Sequence, residues 1–169
     1  MHENGRREVQ VTLEDNRRKK ISIMVPCYNE EENVIPMSEA LVDVMTRELP
    51  QYDYEILFID NCSQDRTREY IEKICEGNKN IKAIFNVTNF GQFNSPFYGL
   101  CQTTGDCAIS VCCDFQDPVE MIPKFVAEWE KGYKIVSGIK SHSKENRFIY
   151  LLRTIYYKMI RKMSDVEMI

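Results

Sequence analysis

Five short apolar runs recur along the chain: KISIMVP at residues 20–26, YEILFID at 54–60, and residues 81–86, 107–113 and 133–137. Runs this short read as buried strands, and the stretches between them are long enough to be crossover helices. Helices are predicted over residues 34–49, after NCSQD with Ser63 and Asp65 as N-cap candidates, from Gly91 to about residue 104, and over 147–163. Asp117 and Pro118 read as N-cap and first position of a further helix, with Pro123 separating its first turn from the longer piece that follows. Alternation of this kind predicts an α/β fold, a mainly parallel sheet flanked by helices in three α/β/α layers. In such sheets ligands bind beyond the carboxyl ends of the strands. PCYNE, DNCSQD and CCDFQDP, the tails of three runs, are therefore expected to border one crevice.

A chain of 169 residues, 43% hydrophobic, is long enough for one globular core and short for two. Residues 1–20 are polar and highly charged and read as a leader. No apolar run approaches the length of a membrane span, and the N-terminus lacks a signal-peptide core, so the chain as given is expected to be cytoplasmic. The seven cysteines are odd in number and have no zinc-type spacing, which favours reduced thiols that act mostly as small core residues.

Charge is unevenly distributed. Residues 21–139 carry 9 basic and 19 acidic side chains, whereas residues 140–169 carry 7 basic and 3 acidic. So acidic a body excludes nucleic acid as the main partner, because phosphate backbones require a cationic footprint. The basic end carries Phe148, Leu151, Leu152, Ile155, Met159 and Met163 at three- and four-residue steps. That pattern fits either a core-covering helix or an interfacial helix beside anionic lipid, and its apolar stripe could also drive formation of a homo-oligomer.

Glu30, Asp60 and Asp114 stand at the three strand tails. Carboxylates gathered on one crevice repel unless a cation accompanies them, and a divalent ion with a phosphorylated ligand resolves the repulsion. There is no GxGxxG after the first run and no GxxxxGK[ST] anywhere, which removes support for a dinucleotide-binding Rossmann domain and for a P-loop NTPase.

The succession VPCYNEEENV, EILFIDNCSQDRT, NFGQFNSPFYGL, DFQDPVEMI and GYKIVSGIK resembles a family 2 glycosyltransferase of the Rossmann-like GT-A fold. Within that family it is most similar to the branch of dolichyl-phosphate mannose synthase and bacterial polyprenyl-phosphate glycosyltransferases, over roughly residues 20–169. The resemblance implies a nucleotide-sugar-binding core at residues 21–140 and a basic amphipathic helix at 141–169, truncated before the acceptor region. It implies that Pro26, Tyr28 and Glu30 line the nucleoside pocket and that Asp60 contacts base or ribose. Asp114 would be the catalytic acid that binds metal and diphosphate, with Gln116 as a second ligand and Mg2+ or Mn2+ as the ion. The implied reaction transfers a sugar, with inversion, from a nucleoside diphosphate sugar to polyprenyl phosphate or a cell-surface glycan, in a full-length protein at the cytoplasmic face of the membrane.

The sequence departs from the family pattern at two places. Asp60-Asn61-Cys62-Ser63 stands where Asp-Asp-Gly-Ser is usual, losing one charge and a permissive glycine. Cys112-Cys113-Asp114 stands where Asp-Ala-Asp is common, with both cysteines expected on the strand and Asp117 expected as a helix cap. No side chain reads as a general base, so either the acceptor is already anionic or the base lies beyond residue 169. A degenerate nucleotide-binding module without catalysis is the alternative these departures raise. A sugar-phosphate nucleotidyltransferase would want a basic, glycine-rich loop after the first strand, and PCYNEEEN is acidic.

Overall fold

Ile21, Ser22, Ile23, Met24 and Val25 are all fully buried, which only a strand covered on both faces and both edges can achieve. They belong to β1 (Lys20–Cys27), and the computed structural model, which describes residues 17–139 and Tyr156, places β1 inside a four-stranded sheet. The elements follow in the order β1, α1 (Val34–Arg47), β2 (Asp53–Asp60), α2 (Thr67–Gly77), β3 (Ile81–Phe85), α3 (Gly91–Cys101), β4 (Cys107–Ser110), a 3-10 turn (Val119–Met121) and α4 (Ile122–Glu130). Strand order is β3-β2-β1-β4 and every pairing is parallel. The β1–β2 register runs from Lys20↔Asp53 to Cys27↔Asp60, so the two strands end side by side.

Alternation along the strands divides the side chains between two faces. Ile21, Ile23 and Val25 with Ile56, Phe58 and Ile109 form one core with Met37, Leu41 and Met45 of α1, Ile71 of α2 and Val126 of α4. On the opposite face α3 lies close to the sheet at Gly99, where a Cβ would stand 3.1 Å from Ile59 Cγ2 and 3.2 Å from Met24 Cγ. The sheet is thus the middle of three layers.

The chain divides into two units, one ending at Val136 and one beginning at Ser137, and all the elements above belong to the first. The long helix predicted over 147–163 lies outside the described residues except for Tyr156, which is helical. The end of the leader belongs to the body. Arg17 forms an ion pair with Asp106, the Arg18 guanidinium donates to the Gln51 carbonyl at 3.1 Å, and Lys19 meets Glu130 at 2.8 Å.

Several expectations are corrected. The run at 133–137 forms no strand. Gly132 (φ 97°) ends α4, and beyond it Tyr133 and Ile135 are 59% and 89% exposed, so the run has no buried face to hold it in a sheet. β4 stops at Ser110. The Val111 amide still donates to the Met24 carbonyl at 3.0 Å, but the chain then turns away, leaving Cys112 and Cys113 in the loop rather than on the strand. Pro118, with extended ψ, is itself the N-cap of the 3-10 turn rather than its first residue, so the N-cap position falls on Pro118 and not on Asp117. Ser63 likewise does not cap α2, which begins at Thr67. Pro123 does stand in the first turn of the separate helix α4.

Candidate donor-binding site

The tails of β1 and β2 are joined by hydrogen bonds that run from the backbone of each loop to the side chains of the other. The Asn29 amide donates to Ser63 Oγ (2.8 Å), and the Gln64 amide donates back to Asn29 Oδ1 (2.8 Å). The Glu30 amide donates to Thr67 Oγ1 (2.7 Å), the Glu31 amide to Asp65 Oδ2 (3.1 Å) and the Arg66 amide to Glu31 Oε2 (2.9 Å). Burial raises the Asp65 carboxyl, but the Thr67 hydroxyl and amide and the Glu31 amide outweigh it and hold the group below its ordinary range.

Among the described residues, three other than glycine adopt the left-handed conformation, Asn29 (φ 56°), Cys62 (φ 68°) and Phe115 (φ 58°). One stands on the tail of each of β1, β2 and β4. Backbone of this kind is uncommon outside glycine and concentrates where the surroundings over-determine a functional loop. Cys62 takes this conformation at the position where the resembled family pattern has glycine, the residue that adopts it without steric cost.

The expected site residues occupy distinct settings at this end of the sheet. Pro26 is half-buried at the end of β1, and Tyr28 just beyond it is 47% exposed. Glu30 is half-buried and accepts a hydrogen bond from Asn33 Nδ2 at 2.7 Å on Oε2. Asp60 is buried across the ladder from Cys27, and its carboxylate accepts hydrogen bonds from the Ser63 hydroxyl and from the Ser63 amide, the latter at 3.3 Å. Its carboxylate is thus taken up by the turn that follows it. Asp114 and Gln116 are exposed on the tail of β4, the other neighbour of β1, where the Gln116 amide donates to Asp114 Oδ1 at 3.1 Å. Between these tails the Cys27 thiol is pushed well above its ordinary range, first by its hydrogen bond with Cys113, then by burial, with the Asp60 and Glu30 carboxylates adding to the effect.

Among the described residues no three His, Cys, Asp or Glu side chains converge as a self-sufficient metal cage. Asp114 and Gln116 nevertheless offer oxygen donors, and a hard divalent ion commonly takes one carboxylate from the protein and completes its shell with phosphate oxygens and water. The donor set fits an ion that arrives with a phosphorylated ligand.

Sequence reasoning missed the role of Asn61. This side chain, 7% exposed, donates to Asn89 Oδ1 (2.9 Å) and to the Gly91 carbonyl (3.3 Å). Its own oxygen accepts from Asn86 Nδ2 (3.1 Å) and from the Phe90 amide (2.9 Å). The available signal was the presence of further asparagines at 86 and 89, because an amide at 61 can donate to one side-chain oxygen while accepting from another N–H, whereas a carboxylate can only accept. Asn89 and Gly91 shape the entrance of α3, where the Gly91 amide donates to Asn89 Oδ1 at 2.8 Å.

Comparison with known proteins finds the family model described as Glycosyl transferase family 2 matching residues 22–167. A bactoprenol glucosyl transferase of Shigella phage SfX is 35% identical over 146 residues, covering 86% of this chain and 47% of that protein. An undecaprenyl-phosphate 4-deoxy-4-formamido-L-arabinose transferase of Yersinia enterocolitica is 30% identical over 159 residues, covering 92% of this chain and 47% of that protein. Among solved structures, S. aureus TarS 1-349 superposes with a TM-score of 0.53 at 25% identity, covering 75% of this chain and 40% of that one. The sheet and its flanking helices are those of the GT-A fold. The chain spans about half the length of the curated relatives it matches.

Proposed function

The chain belongs to glycosyl transferase family 2, and on that premise we propose that it forms the donor-binding part of an enzyme that moves a sugar from a nucleoside diphosphate sugar to a polyprenyl phosphate. The observation that supports this reading is that β2, β1 and β4 are neighbouring parallel strands whose tails leave the same, carboxyl end of the sheet, with Tyr28 and Glu30, Asp60, and Asp114 on those tails. Two similar proteins act, by their names, on bactoprenol and undecaprenyl phosphate, which supports a lipid phosphate as acceptor in place of a cell-surface glycan.

Pro26, Tyr28 and Glu30 line the nucleoside pocket, and Asp60 borders it through the turn that it orders. Asp114 and Gln116 would hold Mg2+ or Mn2+, which would supply positive charge to the departing diphosphate. The bond from the anomeric carbon to the diphosphate oxygen breaks as an acceptor phosphate oxygen bonds to the opposite face, which inverts the centre. An acceptor that is already anionic needs no proton removed. This suits a crevice in which Glu30 and Asp60 already accept hydrogen bonds from Asn33 and Ser63. Among the described residues no helix is long and apolar enough to cross a membrane. In this reading the basic residues of 140–169 contribute to attachment at the cytoplasmic face of the membrane.

The test is calorimetric titration of UDP, GDP, CDP and dTDP into the chain with Mn2+, with Mg2+ and with chelator, repeated on Asp114→Ala. One nucleotide should bind, should need metal, and should be lost in the variant. Binding indifferent both to metal and to Asp114 would overturn the assignment of Asp114.

A further inference from the structure

The amide of Asn61 has two N–H donors and two lone-pair directions, and all four are used within the protein. The donors meet Asn89 Oδ1 and the Gly91 carbonyl, and the oxygen meets Asn86 Nδ2 and the Phe90 amide. Two of those partners are backbone groups of opposite polarity, which fixes the orientation of the side chain without reference to any other amide. Asn86 Nδ2 also donates to Ser95 Oγ at 2.9 Å, so the bonding continues into α3, where Ser95 is buried. The Asn61 amide N–H donates to the Cys27 carbonyl at 2.9 Å, which places the same residue against the tail of β1.

From this geometry we infer that Asn61 is a positioning residue of the donor site. It holds the turn at residues 86–91 and the start of α3 against the crevice, and it touches no ligand itself. The inference rests on the donor-site reading above. It also gives the departure from Asp-Asp-Gly-Ser a purpose. A carboxylate at 61 could still accept from Phe90 and Asn86, but it would set its second oxygen against Asn89 Oδ1 and the Gly91 carbonyl, acceptor against acceptor. Asn89 cannot relieve this by turning over, because its oxygen is also the acceptor for the Gly91 amide at 2.8 Å. The side chains bonded to Asn61 are all uncharged, and the nearest carboxylate in sequence, Asp60, is occupied by Ser63.

The experiment compares wild type, Asn61→Asp, Asn89→Ala and the double variant by calorimetry with the same four nucleotides in Mn2+. Melting temperature and amide exchange at Phe90 and Gly91 are read in parallel. Asn61→Asp should weaken nucleotide binding about tenfold, equivalent to about 1.4 kcal/mol, and should speed exchange at Gly91. Asn89→Ala, at an exposed position, should fold normally and weaken binding less. Adding it to Asn61→Asp removes one of the opposed oxygens, so the double variant should bind more tightly than Asn61→Asp alone. Losses that simply add would mean that Asn61 contacts the ligand independently, and would overturn the inference. So would unchanged affinity in Asn61→Asp and Asn89→Ala beside a binding wild type. A wild type that binds none of the nucleotides would instead overturn the donor-site reading, and with it the role of Asn61. If Asn61→Asp does not fold, Asn89→Ala alone decides: faster exchange at Gly91 with weaker binding supports the inference, and faster exchange with unchanged binding sinks it.

Discussion

Cys62 takes the left-handed conformation at φ 68° in a turn where glycine is usual, and its surroundings explain how it is held there. The Asn61 amide on one side and the Ser63 bonds to Asp60 and Asn29 on the other fix the backbone at both ends. A side chain in that conformation costs about 1–2 kcal/mol, while glycine gives back about 0.5–1 kcal/mol of that through the greater freedom of its unfolded chain. Cys62→Gly should therefore raise stability by about 0.5–1 kcal/mol, and Cys62→Val, with its branched Cβ, should lower it by about 1 kcal/mol or more. Urea unfolding midpoints at constant m-value check both, and a destabilising glycine would mean that the thiol's contacts outweigh the strain. The residue scale is also where the sequence was least legible. The apolar runs located the three tails, and the acids on them could be named. Nothing in the spacing, however, disclosed that Asp60 would bond to Ser63, that Asn61 would be fully bonded, or that Phe115 would sit at positive φ beside Asp114. Each of these depends on partners distant in sequence.

At the scale of elements, the opposite end of the sheet is held by one buried carboxylate. Glu55 Oε2 accepts from Lys20 Nζ (2.9 Å) and Lys82 Nζ (2.7 Å), while Oε1 accepts from Ser22 Oγ (2.7 Å) and from the Thr104 amide (2.6 Å) and hydroxyl (2.9 Å). This ties β1, β2, β3 and the loop after α3 together at their amino ends, away from the crevice. Burial raises the Glu55 carboxyl, but the donors from Lys82, Ser22, Lys20 and Thr104 outweigh it and hold the group far below its ordinary range. The native state thus binds this proton less readily than the unfolded chain, whose glutamate titrates near pH 4.3. The contribution is complete above about pH 5 and is lost as pH falls below that. Glu55→Gln should cost about 2–3 kcal/mol at pH 7, and the gap to wild type should narrow steadily between about pH 5 and 3. Chemical denaturation across that range measures it, and a gap independent of pH would show that the charge contributes nothing. Gly105 reports on the same junction, because an added Cβ would lie 2.6 Å from Ser22 Oγ and 2.7 Å from the Lys20 carbonyl. Gly105→Ala should destabilise by about 1–3 kcal/mol. At this scale the sequence was most legible, since β1, α1, β2, α2, β3 and α3 fall close to where apolar period and turn chemistry put them. The run at 133–137 misled because alternation alone cannot supply a ladder partner, and β4 was over-extended because a buried cysteine after a strand looks like more strand.

At the scale of the whole molecule, the decisive quantity is how charge is partitioned. Residues 21–139 hold 9 basic and 19 acidic side chains, and residues 140–169 hold 7 and 3. An anionic bilayer therefore repels the body and attracts the end, and association depends on whether the attraction is local enough to win. Attraction to anionic lipid amounts to about 1 kcal/mol for each basic residue that reaches the surface, and it decays within a Debye length of about 8 Å at physiological salt. The body's repulsion is screened wherever it stands off by more than that distance, so the basic segment should dominate. The chain should bind vesicles that contain phosphatidylglycerol and leave phosphatidylcholine vesicles nearly empty, with binding that falls as salt rises. Lys158→Glu, Arg161→Glu and Lys162→Glu together remove three attractions of about 1 kcal/mol each, and should lower the partition coefficient at least about a hundredfold. Co-sedimentation with the two vesicle types at low and physiological salt measures this. Equal binding to both lipids, or a triple variant that binds as well as wild type, would mean that apolar contact rather than charge brings the chain to the surface.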